Sequence, residues 1–144
     1  MVKGAYATYE GSTSILSITV SFTAEMQIVD VNATHIEVQT DFNMSTPLGN
    51  TENSTTMWVD KQDMTFAPEN LTLTSTVPDA QVTIPGLGTR TCTEYQYQNQ
   101  DISAAYYVDN TVHWPIEMIM TSPEVNGQSY NMDITLVQTN IPGL

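Results

Sequence analysis

Residues 16–28 read LSITVSFTAEMQI, and their reading decides the fold. Leu16, Ile18, Val20, Phe22, Ala24, Met26 and Ile28 alternate with Ser17, Thr19, Ser21, Thr23, Glu25 and Gln27. A period of two over such a length puts every apolar side chain on one face of an extended strand. Wound as a helix, the same residues would surround the axis and leave no dry face. The spacing predicts a long strand with one dry side and one wet side.

Two further segments repeat the pattern. Ile36, Val38, Thr40, Phe42 and Met44 alternate with Glu37, Gln39 and Asp41. Tyr130, Met132, Ile134 and Leu136 alternate with Asn131, Asp133 and Thr135. Val31, Asn32 and Ala33 read as the turn between the first two strands. Asn126-Gly127 is a strong type I′ hairpin signal, because both residues tolerate positive φ. It joins a strand around residues 114–120 to the last one. Residues 66–88, FAPENLTLTSTVPDAQVTIPGLG, hold three prolines and two glycines. They predict short edge strands, with room for one helical turn after Pro68. No segment shows a capped helical stripe.

The expected fold is therefore all-β, a single domain over 1–144 of about eight to ten antiparallel strands. Long strands that are dry on one side must cover it. They do so by curling into a strongly curved half-barrel or barrel, or by packing on a second sheet as a β-sandwich.

Composition excludes several functions. Charged residues are 13% of the chain, and 16 Asp and Glu face only Lys3, Lys61 and Arg90, a formal charge of -13. Such a surface repels phosphate backbones and lacks the polybasic patch that draws proteins to anionic headgroups. Nucleic acid is not an expected partner. The polar surface is built from Ser, Thr and Asn, with sequons at Asn32, Asn43, Asn53 and Asn70 as glycosylation candidates. These features point to an extracytoplasmic protein, at the cell surface or secreted. No apolar run reaches the ~18 residues of a membrane span, and Met1-Val-Lys-Gly is not a leader. The expectation is an exported chain or ectodomain seen without its anchor.

Residues 106–118, YYVDNTVHWPIEM, raise the question of chemistry. Asp109 and His113 can be written beside the lone Cys92 as an acid, base and nucleophile set. No nucleophile elbow, oxyanion loop or catalytic-cysteine context accompanies them. The plainer reading is a hairpin: residues 106–108 are strand, Asp109-Asn110 open the turn, and residues 113–120 return. Pro115 then fits a bulge or an edge. With one Cys there is no intrachain disulfide, and Cys92 reads as a buried small hydrophobe. Two distant His and one Cys make no zinc set. Asp60 and Asp63 in DKQD lack calcium-loop spacing and read as a solvated turn. PGLGTR at residues 85–90 is no phosphate loop. The expectation is no catalysis, no metal and no cofactor.

The apolar load stands out: eight Met and seven Tyr with Trp58, Trp114 and three Phe. Met26, Met44, Met118, Met120 and Met132 fall on the inferred dry faces. Methionine adapts to irregular apolar partners as well as to ordinary cores.

MWVDKQDMTF and YYVDNTVHWPIEM share an aromatic-Val-Asp step, a polar run and an apolar return, as a reused hairpin would. With the following NGQSYNMDITLVQTNIP, the second stretch resembles the closing part of the periplasmic lipoprotein-carrier group (LolA/LolB-like, with mycobacterial lipid-carrier relatives). The resemblance covers about the last 45 residues. It implies a strongly curved antiparallel sheet around an apolar cavity that holds acyl chains, met by Val20, Phe22, Trp114, Met118 and Met132. The function expected is a non-catalytic module binding a lipid or other apolar small molecule, in a cavity of ~300–1,000 Å3. The alternative is a structural or protein-interaction domain of the cell envelope, with a filled core, an exposed edge and an envelope protein as partner.

Overall fold

In the computed structural model, residues 1–15, 17–62, 66, 70–122 and 130–144 are described, Ile15 by its backbone alone. Nine strands form one antiparallel sheet: β1 (Tyr6–Ile15), β2 (Ile18–Val31), β3 (His35–Thr46), β4 (Gly49–Asp60), β5 (Thr72–Ile84), β6 (Gly88–Gln98), β7 (Ser103–Asp109), β8 (Pro115–Thr121) and β9 (Asn131–Thr139). The spatial order is β4-β3-β2-β1-β9-β8-β7-β6-β5. All nine strands lie in that one sheet, so a sandwich is not what forms, and β4 and β5 stay apart as its two edges. β1 and β9, from opposite ends of the chain, are neighbours in the middle.

One register row crosses every strand: Thr51, Met44, Phe22, Gly11, Ile134, Met118, Tyr106, Tyr95 and Thr76. It is apolar at the centre and turns to threonine at both edges, as one face of an open sheet should. Gly11 is required within it. A Cβ there would collide with the carbonyl oxygen of Asp133 across the β1–β9 ladder, so only glycine lets the two central strands approach.

Register shifts leave Val29, Ile116 and Val137 as extra residues in β2, β8 and β9. Each such bulge bends its strand and sharpens the local twist. All three lie towards the same end of the sheet, where the core is also densest. Ile28, Ile36, Val38, Ile116 and Trp114 are each fully buried there, with Ala5, Val59, Ile84, Leu136 and Ile141 around them. This is the packed end. The far end carries the β1–β2 and β3–β4 tips, where Ile18 and Leu48 are 44% and 95% exposed.

Several expectations change. The first long strand begins at Ile18, not Leu16, because Ser17 turns the chain with φ 68°. Residues 66–88 hold one edge strand of 13 residues, β5, in place of short ones. Pro78 fits it because β5 is an edge, and two register shifts against β6 absorb the irregularity. MWVD is not a reused hairpin. β4 ends there, and the next strand, β5, lies at the opposite edge of the sheet. Asn126-Gly127 and the segment after Pro68 fall outside the described residues.

Residues 106–118 do form a hairpin. Asp109 closes β7, and its carboxylate accepts the backbone N–H of Thr111 (2.9 Å) and of Val112 (2.7 Å). This Asx turn gives the Val-Asp step its physical role. Asp60 does the same for the Gln62 N–H at 2.7 Å. Pro115 opens β8 at the bulge, inside the sheet and not at its edge.

Candidate functional site

On the apolar face, beyond the packed end, the sheet encloses a partly open cavity of about 300 Å3. Seven neighbouring strands contribute to its wall. Thr55 and Met57 come from β4, Thr40 and Phe42 from β3, Ala24 and Met26 from β2, and Tyr9 from β1. Met132 and Ile134 come from β9, Met118 and Met120 from β8, and Tyr106 from β7. Laid flat, seven strands at ~4.8 Å spacing would span about 29 Å. Seven of them can line one small cavity only if the sheet curves around it.

Phe66 completes the enclosure. It lies between β4, which ends at the packed end of one edge, and β5, which begins at the far end of the other. The Phe66 ring lines the cavity and meets Trp114 edge-on, with centroids 5.2 Å apart and planes at 64°.

The floor is polar but fully paired. Trp114 is completely buried, and its indole N–H donates to Tyr9 Oη at 2.6 Å. Tyr9 in turn donates to the Pro115 carbonyl oxygen at 2.7 Å. Burial raises the Tyr9 phenol well above its ordinary range, so the hydroxyl keeps its proton and its role as donor.

Of the residues expected to meet a ligand, Met118 and Met132 line the cavity. Phe22 stands behind the wall, its ring stacked on Phe42 at 5.7 Å. Val20 is buried on the same face, nearer the far end. Trp114 lies in the floor. The reading missed Tyr9, Phe42, Met57, Phe66 and Tyr106. Phe42 was legible from its alternation; Phe66, in a connection, left no periodic signal.

The outer face is polar. Glu94, Tyr107, Glu117, Thr135, Glu10, Thr23, Asn43 and Glu52 follow one another across it in register. Glu117 also borders the cavity. Its carboxyl is raised to about 7, first by burial and then by the charge of Asp133 and a hydrogen bond to it. A more open depression of about 530 Å3 near Glu25, Asp41, Asn43 and Glu52 is lined mostly by polar residues, with Ala24 and Phe42 among them. Asp41 there is held below its usual value, chiefly by the Ser54 hydroxyl and then by the Gln39 amide.

Cys92 and Asp109 face each other in register, yet the arrangement is not that of an activated thiol. Cys92 is fully buried, and its thiol is pushed up to about 11, first by burial and then by Asp109. Besides its two turn amides, the Asp109 carboxylate lies 3.7 Å from Arg90. His113 is exposed in the turn at φ 57°. Among the described residues no three His, Cys, Asp or Glu converge to hold a metal, and Asp63 falls outside them. The sequon residues Asn32, Asn53 and Asn70 are exposed, and Asn43 is half-buried with its amide donating to Glu52. No helix among the described residues is long and apolar enough to cross a membrane.

No family model matches the chain, and no curated protein matches it in sequence. In structure it is similar to a crystal structure described as an outer membrane lipoprotein-sorting protein domain from Vibrio parahaemolyticus. The match has 7% identity, spans 99% of this chain and 87% of that one, and reaches a TM-score of 0.33. A likeness of that size says nothing of what this chain binds.

Proposed function

We propose that this chain is a non-catalytic, extracytoplasmic binding module that holds an apolar ligand, an acyl chain or similarly flexible hydrocarbon, on the concave face of its sheet. The observation that carries the reading is the wall itself: Met26, Met57, Met118, Met120 and Met132, five of the chain's eight methionines, surround one cavity. An unbranched thioether side chain conforms to a chain of varying bends where branched residues would impose one shape. At ~0.8 kcal/mol per buried methylene, about ten methylenes supply roughly 8 kcal/mol before ordering costs, the scale of a micromolar complex. The volume lies at the low end of ligand pockets, which suits one chain and not several. Exposed sequon asparagines and a hydroxyl-rich surface support the extracytoplasmic placement.

The test is native mass spectrometry of the purified protein with lipid analysis of what it releases, then titration with single-chain lipids. A bound species at one copy per chain supports the reading. If nothing co-purifies and added single-chain lipids leave the mass unchanged, the cavity is not a lipid site.

A second reading is favoured by β4. It pairs with β3 without a register shift over all 12 residues, and it has no Pro and no Lys to blunt its free side. Met57 and Trp58 on it are 39% and 48% exposed. The opposite edge, β5, is interrupted by Pro78 and by Asp79 at φ 59°. An envelope interaction domain would use β4 to receive another strand, that of a second copy above all, since β4 against β4 closes a two-fold pair. Thr55→Pro removes a backbone donor midway along β4. Light scattering that shows a dimer lost in this variant supports pairing through β4; a monomeric native protein rejects it.

A further inference from the structure

We infer that the ligand of this cavity carries no negative charge at its polar end, an inference that rests on the ligand-holding reading above. The chain has three Lys and Arg and two His, and the fold gathers all five at the packed end of the sheet. Lys3 precedes β1 and lies 3.8 Å from Asp30. His35 opens β3, 3.9 Å from Asp60. Lys61 follows β4 and donates to the Asn32 carbonyl oxygen. Arg90, near the start of β6, donates to the Gly143 carbonyl oxygen at 2.6 Å and faces Asp109. His113 sits in the β7–β8 turn.

None of the five borders the cavity. The sequence contains no other basic residue, so the segments outside the described residues cannot supply one either. Glu117 borders the cavity, but its carboxyl is paired with Asp133 on the outer face, so it offers no counter-charge either. A carboxylate or phosphate brought here would be desolvated without a counter-charge, in the field of a chain carrying -13. The hydroxyls of Thr40, Thr55 and Tyr106 can both donate and accept. They match an alcohol, an ester or an amide. The class implied is a single-chain lipid with an uncharged polar end, such as a monoacylglycerol or a long-chain alcohol.

Monoolein and oleate share one hydrocarbon chain and differ in head charge, so they separate this inference from the reading beneath it. Each is titrated at about pH 8 in low salt, following displacement of N-phenyl-1-naphthylamine from the protein. Monoolein is expected to compete at least ~10-fold more strongly than oleate. Thr55→Lys, an exposed wall position on β4, is expected to bring oleate within about threefold of monoolein by supplying the missing cation. Equal competition by the two lipids in the native protein overturns the charge inference and leaves the cavity reading standing. If neither lipid binds the native protein, the cavity reading falls and takes the inference with it.

Discussion

Trp114 and Tyr9, 105 residues apart in sequence, meet at 2.6 Å between indole Nε1 and phenol Oη beneath the cavity. Tyr9→Phe would keep the ring and remove the oxygen. It would leave the Trp114 N–H and the Pro115 carbonyl oxygen unpaired in a fully buried place. An unsatisfied buried polar group costs about 1–3 kcal/mol. The variant is expected to lose about 2–4 kcal/mol in urea unfolding with an unchanged m-value. A loss below ~0.5 kcal/mol would mean that water replaces the hydroxyl.

Glu117 makes stability fall as pH rises. Its folded carboxyl lies at about 7 against an ordinary 4.5, so between those values the folded state holds the proton more tightly. Stability contributed by the neutral form is full below about 4.5 and lost as pH climbs through about 7. Glu117→Gln should flatten that slope and stabilise the protein near neutral pH by roughly 1 kcal/mol, a figure reduced for solvent screening. Asp41 acts in the opposite sense at lower pH, because its carboxyl is held down. Chemical denaturation across pH 2–8 reads both, and an unchanged slope in the glutamine variant would assign it elsewhere.

The Cys92 thiol is expected to be inert in the native state. With its pKa pushed up to about 11 and no exposed surface, thiolate and access are both missing. Ellman's reagent should label it at the rate at which the structure opens, rising with urea in step with unfolding. Labelling as fast as a free thiol in water would contradict the burial.

Ala24 offers a way to close the cavity without disturbing the core. It shares its face with Tyr9 and Phe42, its partners on either side, and all three line the cavity. Ala24→Trp should reduce binding of N-phenyl-1-naphthylamine at least ~10-fold while changing stability by less than about 1 kcal/mol, since the added ring enters space already open. Thr56→Trp, on the outer face of β4, is the control and should bind as the native protein does. Undiminished binding by Ala24→Trp would place the dye elsewhere.

The sequence disclosed those strands in which every second residue enters the core. β2, β3 and β9 do so, and their alternation located them within two or three residues. β4 gave no such signal, because its inward positions at the edge begin with the polar Thr51, Asn53 and Thr55 and turn apolar only at Met57 and Val59. β1 hid for a related reason: its inward positions include the small residues Ala7 and Gly11, the latter demanded by the close β1–β9 approach. Which methionines were apolar-facing was legible; how deep each lay was not. Trp114 looked like a ligand contact and is the floor, since depth depends on the three bulges that bend the sheet. Phe66 could not be found at all, because a residue placed by a connection obeys no period.

The seam between β1 and β9 also constrains how the protein comes into being. Among the described residues that ladder is the one strand pairing between β1–β4 and β5–β9, and β9 follows the other eight strands in sequence. Pairing residues more than 120 positions apart carries a high contact order and is slow. Until β9 arrives, β1 is an unpaired edge and the methionine-rich faces are open to water, a state prone to wrong association. A chain emerging from the ribosome or a translocation pore thus cannot close its cavity partway. Agents that hold apolar strands in solution would act in the interval before β9 pairs.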